Sequence, residues 1–317
     1  MLDGLKSPND MRVVFINTLI EEARHNKDIW LVIGDVGFGL VEPFQKEFPN
    51  RFINVGIAEQ NMVGVAAGLA IEGKTVFCYS LGSFASTRCL EQIRLDVCYR
   101  NTNVNIISGG GGLIFGYLGT THHATEDISI MRALPNMIVL APCSAIESKI
   151  ATQAMIETKS PCYMSLSRAG DNIVHQTMPS KYIWDGSSSI LRYGNSKMTI
   201  MGCGGIMSEV IDAAKILSEH DINVDVVSLL TVKPIDEEVI VGCGEDRIIV
   251  TVEEHNLDGG LGSAVSEVIT DNNLNTRLIR IGIKNKFIEE VGTQAYLRKI
   301  NGLDAESIVE KIKHELH

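Results

Sequence analysis

Phe52-Ile53-Asn54-Val55-Gly56-Ile57-Ala58-Glu59-Gln60-Asn61-Met62-Val63-Gly64-Val65-Ala66-Ala67-Gly68 is the stretch from which the fold of this chain is read. Residues 52–55 form a short apolar run closed by Gly56, the pattern of a buried strand, and residues 58–71 then carry small and apolar side chains over a helix-length segment. One acid, Glu59, stands in the first turn of that helix, where the positive end of the helix dipole stabilises a carboxylate by about 0.3–1 kcal/mol. Helix-start residue and buried functional acid are both open on this pattern alone.

Working outward, the same unit recurs. Met11, Val14, Phe15 and Leu19 fall at helical spacing with Asn9 or Asp10 as N-cap. Apolar strands are predicted at 29–33, 52–55, 75–79, 104–107, 137–141 and 162–166, and helices at 58–71, 86–99, 126–133 and 145–157. Near-continuous apolar strands alternating with helices predict a doubly wound α/β domain with a mostly parallel sheet covered on both faces. The pattern weakens near Pro179, Gly186, Ser187-Ser188-Ser189 and Gly194, then restarts with strands at 198–201, 224–229, 248–252 and 277–281, helices at 207–219 and 263–270, and a last helix capped by Asp304. The expected organisation is a first domain at 1–178, a linker at 179–195 and a smaller α/β domain at 196–317.

At 317 residues the chain is long enough for two such domains at about 150 residues each. With 28 Lys and Arg against 39 Asp and Glu it carries a net charge of −11, a field that repels phosphate backbones and anionic lipid, so nucleic acid and membrane are not expected partners. The first ten residues are polar and hold no secretory apolar region. The uncharged run 101–125 is broken by Ser108-Gly109-Gly110-Gly111-Gly112 and ends near two histidines, so it does not read as a membrane span. Seven cysteines, odd in number and without a Cys-x-x-Cys pair, read as buried thiols of a reduced cytoplasmic protein. Gly68-Leu69-Ala70-Ile71-Glu72-Gly73-Lys74-Thr75 spells a phosphate-binding loop, but in reverse context. It runs from a helix into a strand, whereas phosphate needs the amides of a helix start.

Gly56-Ile57-Ala58-Glu59-Gln60 with its glycine- and alanine-rich helix resembles the pyrimidine-binding motif of thiamine-diphosphate enzymes, in particular transketolases. Phe84-Ala85-Ser86-Thr87-Arg88-Cys89-Leu90-Glu91-Gln92-Ile93-Arg94, Thr121-His122-His123-Ala124-Thr125-Glu126-Asp127-Ile128, Met131-Arg132-Ala133-Leu134-Pro135-Asn136-Met137, Ser165-Leu166-Ser167-Arg168, Glu253-Glu254-His255 and Gly259-Gly260-Leu261-Gly262 follow in the order of that family. The resemblance covers the whole chain but only the C-terminal portion of a full-length transketolase. It implies one subunit of a split enzyme that transfers a two-carbon ketol unit between sugar-type substrates. The family's Gly-Asp-Gly…Asn motif for Mg²⁺ and diphosphate is missing, so a partner carrying the N-terminal portion is expected to supply that site, in a heterotetramer or around a homodimer core. No metal ligand is assigned to this chain. Gly34-Asp35-Val36-Gly37 is a near miss to the motif and aligns better with a segment lining the subunit interface; Asp35 is kept on it as a cofactor contact.

The resemblance also assigns roles. Glu59 meets a ring nitrogen of the aminopyrimidine, which calls for a carboxyl group of raised proton affinity in a dry site. Phe84 stacks on the pyrimidine, and Leu81 stands where many members carry a second aromatic. His122 reaches substrate oxygens, while the role of His123 stays open. Arg168 and Arg12 match arginines that hold a sugar phosphate, a task suited to the guanidinium fork, although a surface salt bridge serves Arg12 nearly as well. Gly110 and Leu118 replace a histidine and an aspartate that touch substrate hydroxyls, which predicts a roomier, more apolar mouth and a modified substrate in place of ordinary pentose phosphates. His255 and Gly259–Gly262 are expected to shape a turn. The alternatives are a 2-oxoacid dehydrogenase beta subunit, disfavoured by Thr121-His122-His123 and Ser165–Arg168; deoxyxylulose-phosphate synthase, usually one long chain; and a non-catalytic scaffold, against which Glu59 argues.

Overall fold

The computed structural model describes residues 9–168, 173–180, 183–194, 196–244 and 247–316. Its first half runs α1 (Met11–His25), β1 (Ile29–Ile33), α2 (Glu42–Glu47), β2 (Phe52–Asn54), α3 (Glu59–Ile71), β3 (Thr75–Ser80), α4 (Gly82–Ser86), α5 (Leu90–Gln92), β4 (Val104–Ser108), α6 (Asp127–Arg132), β5 (Ile138–Leu140), α7 (Ala145–Thr158) and β6 (Cys162–Ser165). The second half runs β7 (Ser188–Arg192), β8 (Met198–Gly202), α8 (Met207–Glu219), β9 (Asp225–Leu229), β10 (Thr231–Lys233), α9 (Glu237–Gly244), β11 (Ile248–Asn256), α10 (Leu261–Asp271), β12 (Arg277–Ile283), α11 (Gln294–Ile300) and α12 (Ala305–Leu316).

Two sheets result. The first has the order β10-β5-β6-β4-β3-β1-β2 and the second β12-β11-β8-β9-β7. All pairs in the first are parallel except β10 on β5, and all in the second except β7 on β9. The alternating α/β reading holds. β1 shows why its strands are continuous in hydrophobicity: Leu31, Val32 and Ile33 are all buried, Val32 in one apolar cluster and Leu31 and Ile33 in the other. α1 starts where its cap predicts, with the Asp10 carboxylate accepting from Arg12 N at 2.9 Å. The Gly68–Thr75 segment leaves α3, passes Gly73 at φ +83° and enters β3, so it presents no helix start to a phosphate.

The strand at 52–55, read as buried, is instead the edge strand β2, paired only with β1, with Phe52 and Ile53 half-buried and Asn54 exposed. Three further differences from the sequence reading have local causes. The helix expected at 86–99 begins at Gly82 and breaks at Thr87-Arg88-Cys89, then resumes in α5 and a π-helical turn at Ile93–Tyr99. Side chains there compete for backbone acceptors: Ser86 Oγ donates to Gly82 O, Thr87 Oγ1 to Ser83 O, and Cys89 Sγ to Phe84 O and Ala85 O. Inside the expected linker 179–195, β7 pairs with β9 and belongs to the second sheet. Residues 181, 182 and 195 of that expected linker lie outside the described residues. β10, only three residues long, leaves the second half of the chain to extend the first sheet. Its Lys233 ammonium caps the end of α6 through Arg132 O and Leu134 O.

Among the described residues no cysteine is bridged, and all but Cys243 are buried. No helix among them is long and apolar enough to cross a membrane.

Candidate active site

The carboxyl ends of β1, β3, β4 and β6 lie side by side, the place where open parallel sheets gather ligand-binding loops. Glu59, first residue of α3, turns its carboxylate inward beneath this edge and is 1% exposed. Arg88 Nη1 donates to its Oε2 at 2.9 Å, and Ser80 Oγ, at the end of β3, lies 3.4 Å from Oε1. The Arg88 guanidinium also covers the half-buried Phe84 ring, 4.0 Å from its centroid, while the Arg88 side chain remains 43% exposed. The His122 ring stands edge-on to Phe84 at 5.1 Å and 63°, its Nδ1 2.9 Å from the Thr121 hydroxyl. Burial first, and then the charge of Arg88, hold the His122 imidazolium below its ordinary range, which favours the neutral ring. Glu59, Phe84 and His122, picked from three separate motifs, thus form one cluster.

Arg88 joins them, and no role was read for it in the sequence. It lies in the turn that follows α4, two residues past the helix end, where no sequence periodicity points to it.

The glycine run differs from expectation. Gly110 does not leave an open space: a Cβ built there would lie 2.2 Å from the Phe115 ring, so that ring occupies the volume a side chain at 110 would need. The expectation of a roomier mouth is corrected at this position, because the vacated volume is refilled with an aromatic wall. Phe115 packs against Tyr117 with centroids 6.2 Å apart, and Leu118 beyond it is 45% exposed. Gly110 has no positive φ; close packing, not backbone conformation, requires glycine there.

Asp35 sits at the end of β1 in the left-handed region, φ +56°, and its Oδ1 accepts from Asn54 Nδ2 at 2.9 Å. It neighbours Gly34, which packs beside Glu59. Arg12 is committed elsewhere: 5% exposed, it donates from Nε and Nη2 to both oxygens of Asp10 at 3.0 and 2.6 Å, a fork already filled at the start of α1. Arg168 is exposed just beyond β6. His123 is buried, its affinity for a proton lowered by burial against a hydrogen bond to the Gly116 backbone, and its Nε2 has no hydrogen-bond partner among the described residues.

Several other buried polar groups fasten backbone segments to one another. Glu253 accepts from Leu261 N and Gly262 N at 2.7 and 2.9 Å, fastening the start of α10, although burial holds its carboxyl above the usual range. His255 Nε2 accepts from Ser129 N, and Arg132 donates to Gly259 O, so the His255 and Gly259–Gly262 turn stitches the second half of the chain to α6. The ligand-type atoms of Cys143, Glu147 and His175 lie within 4.8 Å of one another. Ser189 and Ser228 hydroxyls and Cys143 N donate to Glu147, and both His175 ring nitrogens contact serine hydroxyls, so these groups already satisfy one another without an ion.

Residues 7–170 match the family model for the transketolase pyrimidine binding domain, and residues 186–308 the model for the transketolase C-terminal domain. A putative transketolase C-terminal section of Methanocaldococcus jannaschii is 41% identical over 96% of each chain. One of the subunits of the apulose-4-phosphate transketolase of Actinobacillus succinogenes is 35% identical, over 94% of this chain and 95% of its own. Among solved structures, a split gene transketolase described as an inactive beta4 tetramer superposes with a TM-score of 0.82 at 32% identity, over 96% of this chain and 97% of that one.

Proposed function

The chain belongs to the transketolase family, and from that premise we propose that it is the pyrimidine-binding subunit of a split, thiamine-diphosphate-dependent transketolase. Diphosphate and Mg²⁺ are held mainly by a partner subunit carrying the N-terminal portion, in a heterotetramer or around a homodimer core. The observation that carries this reading is the Glu59 carboxylate, withdrawn from water at the start of α3 and linked through Arg88 to Phe84 and, across that ring, to His122. These residues suit the cofactor's aminopyrimidine: an acid to share a proton with a ring nitrogen, an aromatic face to stack on, and a neutral histidine at the open side. When bound, the cofactor supplies the acidic carbon that accepts the two-carbon unit.

The chain's own residues do the rest. Glu59 holds a proton between its carboxylate and the ring nitrogen, in surroundings that exclude water and so strengthen the exchange. Thr121 fixes His122 through Nδ1, which leaves Nε2 for substrate oxygens. Arg168 meets the anionic end of the substrate. Asp35 stays a contact at the cofactor edge, where Asn54 orients it. Arg12, filled by Asp10, braces the start of α1.

The wall formed by Phe115, Tyr117 and Leu118 offers few hydrogen bonds where a sugar's hydroxyls would lie, and we infer a modified sugar or sugar phosphate as the substrate. The name of the Actinobacillus protein, which specifies apulose 4-phosphate, supports that class. Buried, unbridged cysteines support a cytoplasmic location. Two measurements test the reading. Calorimetry of the chain alone should find weak thiamine diphosphate binding; tight Mg²⁺-dependent binding would remove the need for a partner. With the partner added, kcat/KM for xylulose 5-phosphate should fall below the ordinary enzyme range of ~10⁴–10⁸ M⁻¹s⁻¹, and a value inside it would overturn the substrate class.

A further inference from the structure

We propose that Arg88 is an internal stand-in for the aminopyrimidine: in the cofactor-free chain its guanidinium takes the Glu59 carboxylate and the Phe84 face, and it must give up both when the cofactor loads. This rests on the function proposed above, which assigns the same two contacts to the pyrimidine. The stand-in is a competition for those two contacts.

The contacts use the edge and the face of one planar cation. Nη1 lies 2.9 Å from Glu59 Oε2, and the guanidinium carbon lies 4.0 Å from the centre of the Phe84 ring. A delocalised planar cation that hydrogen-bonds a carboxylate edge-on while stacking on an aromatic face copies what an aminopyrimidine offers to the same pair. The cluster needs such a group in the absence of cofactor. Glu59 is 1% exposed, and its one other side-chain partner among the described residues is the Ser80 hydroxyl at 3.4 Å, so removing Arg88 leaves a buried carboxylate almost without a partner. Arg88 is also free to leave. Its side chain is 43% exposed on the solvent side, and its backbone lies in the break between α4 and α5. Glu59 therefore passes from one planar partner to another and is never left bare in a dry site.

The test uses the chain assembled with its partner subunit, native and Arg88→Met, which keeps a long apolar side chain over Phe84 while removing the cation. Thiamine diphosphate is titrated at saturating Mg²⁺ by calorimetry, and thermal unfolding is followed with and without it. We expect Arg88→Met to lower the midpoint of the cofactor-free complex, to bind the cofactor at least threefold more tightly, and to show a larger cofactor-induced rise in midpoint than native. Arg88→Gln, which retains a hydrogen-bond donor to Glu59, covers the case in which the methionine variant does not fold and should shift the dissociation constant in the same direction. Unchanged or weaker binding by these variants would overturn the stand-in and make Arg88 a bystander or a direct holder of the cofactor. A native complex that binds no thiamine diphosphate would instead overturn the proposed function.

Discussion

Glu59 and Glu254 are both sequestered carboxylates paired with arginine, and they are held in opposite ways. Glu254, on β11, accepts from Leu113 N at 2.6 Å and Gln294 Nε2 at 2.7 Å on one oxygen and from Arg298 Nε on the other. Both side chains of that ion pair are 8% exposed, and Arg298 also lies 3.4 Å from Glu209. Even the backbone conforms to it, for Gly112 turns at φ +62° against the Glu254 carboxylate, where a Cβ would lie 2.4 Å from Oε1. Glu59 has instead one half-exposed arginine and one distant hydroxyl. A carboxylate saturated by fixed groups from two domains is a rivet; one whose main partner borders solvent can change partners, as the proton-sharing role proposed above for Glu59 requires.

The difference is broken most severely at Glu59. Glu59→Gln keeps shape and hydrogen-bonding capacity, so assembly should survive. Exchange of the thiazolium proton in the assembled complex should slow by about 10²–10⁴-fold, the usual worth of a positioned proton-transfer group. Unchanged exchange would take Glu59 out of the reaction. Glu254→Ala should do the reverse, leaving Arg298 buried with only Glu209 and costing about 3–5 kcal/mol in denaturant unfolding. Glu59→Gln should cost far less stability, because Arg88 is exposed enough to be rehydrated. Equal losses at the two sites would erase the distinction.

A milder change probes the mouth. Gly110→Ala inserts a methyl group into the Phe115 ring and should destabilise by about 1–3 kcal/mol, as overpacking does. In a Phe115→Ala background the penalty should fall to less than half, a coupling readable from a double-mutant cycle. Additive effects would show that the ring does not fill that space.

Much of this was legible in the sequence, for particular reasons. β1, β3 and β4 read correctly because both faces are buried and hydrophobicity runs without a break, and Glu59, Phe84 and His122 stand in motifs with fixed order. β10 was not legible: three residues without periodicity find their place only through pairing with β5. The break at Thr87–Cys89 depends on side chains capturing carbonyls, which composition does not reveal, and with it Arg88 was passed over. The filling of the space beside Gly110 was hidden for a similar reason. A glycine in a sequence signals absent volume, while Phe115, five residues later, supplies it through a loop whose course no periodicity predicts.

The smallest effect expected concerns His122 and the charge that Glu59 keeps near it. Burial is the larger cause of its lowered proton affinity and the Arg88 cation the smaller. The folded-state value therefore lies below the ordinary 6.5. The folded chain then binds this proton less readily than the unfolded chain, so the contribution of His122 to stability is present above pH 6.5 and is lost as pH falls through the folded value. His123 and His175 are shifted the same way by burial and act in the same window, so global acid unfolding cannot isolate one ring. Titration of the His122 imidazole by NMR can. The native ring should titrate below 6.5, and Arg88→Met should move it upward by only part of the difference, because burial persists. A native value at or above 6.5 would mean that the ring is not sheltered as its packing on Phe84 implies. A full return to 6.5 in Arg88→Met would reverse the order of the two causes, making the arginine, already paired with Glu59, the main control on the histidine as well.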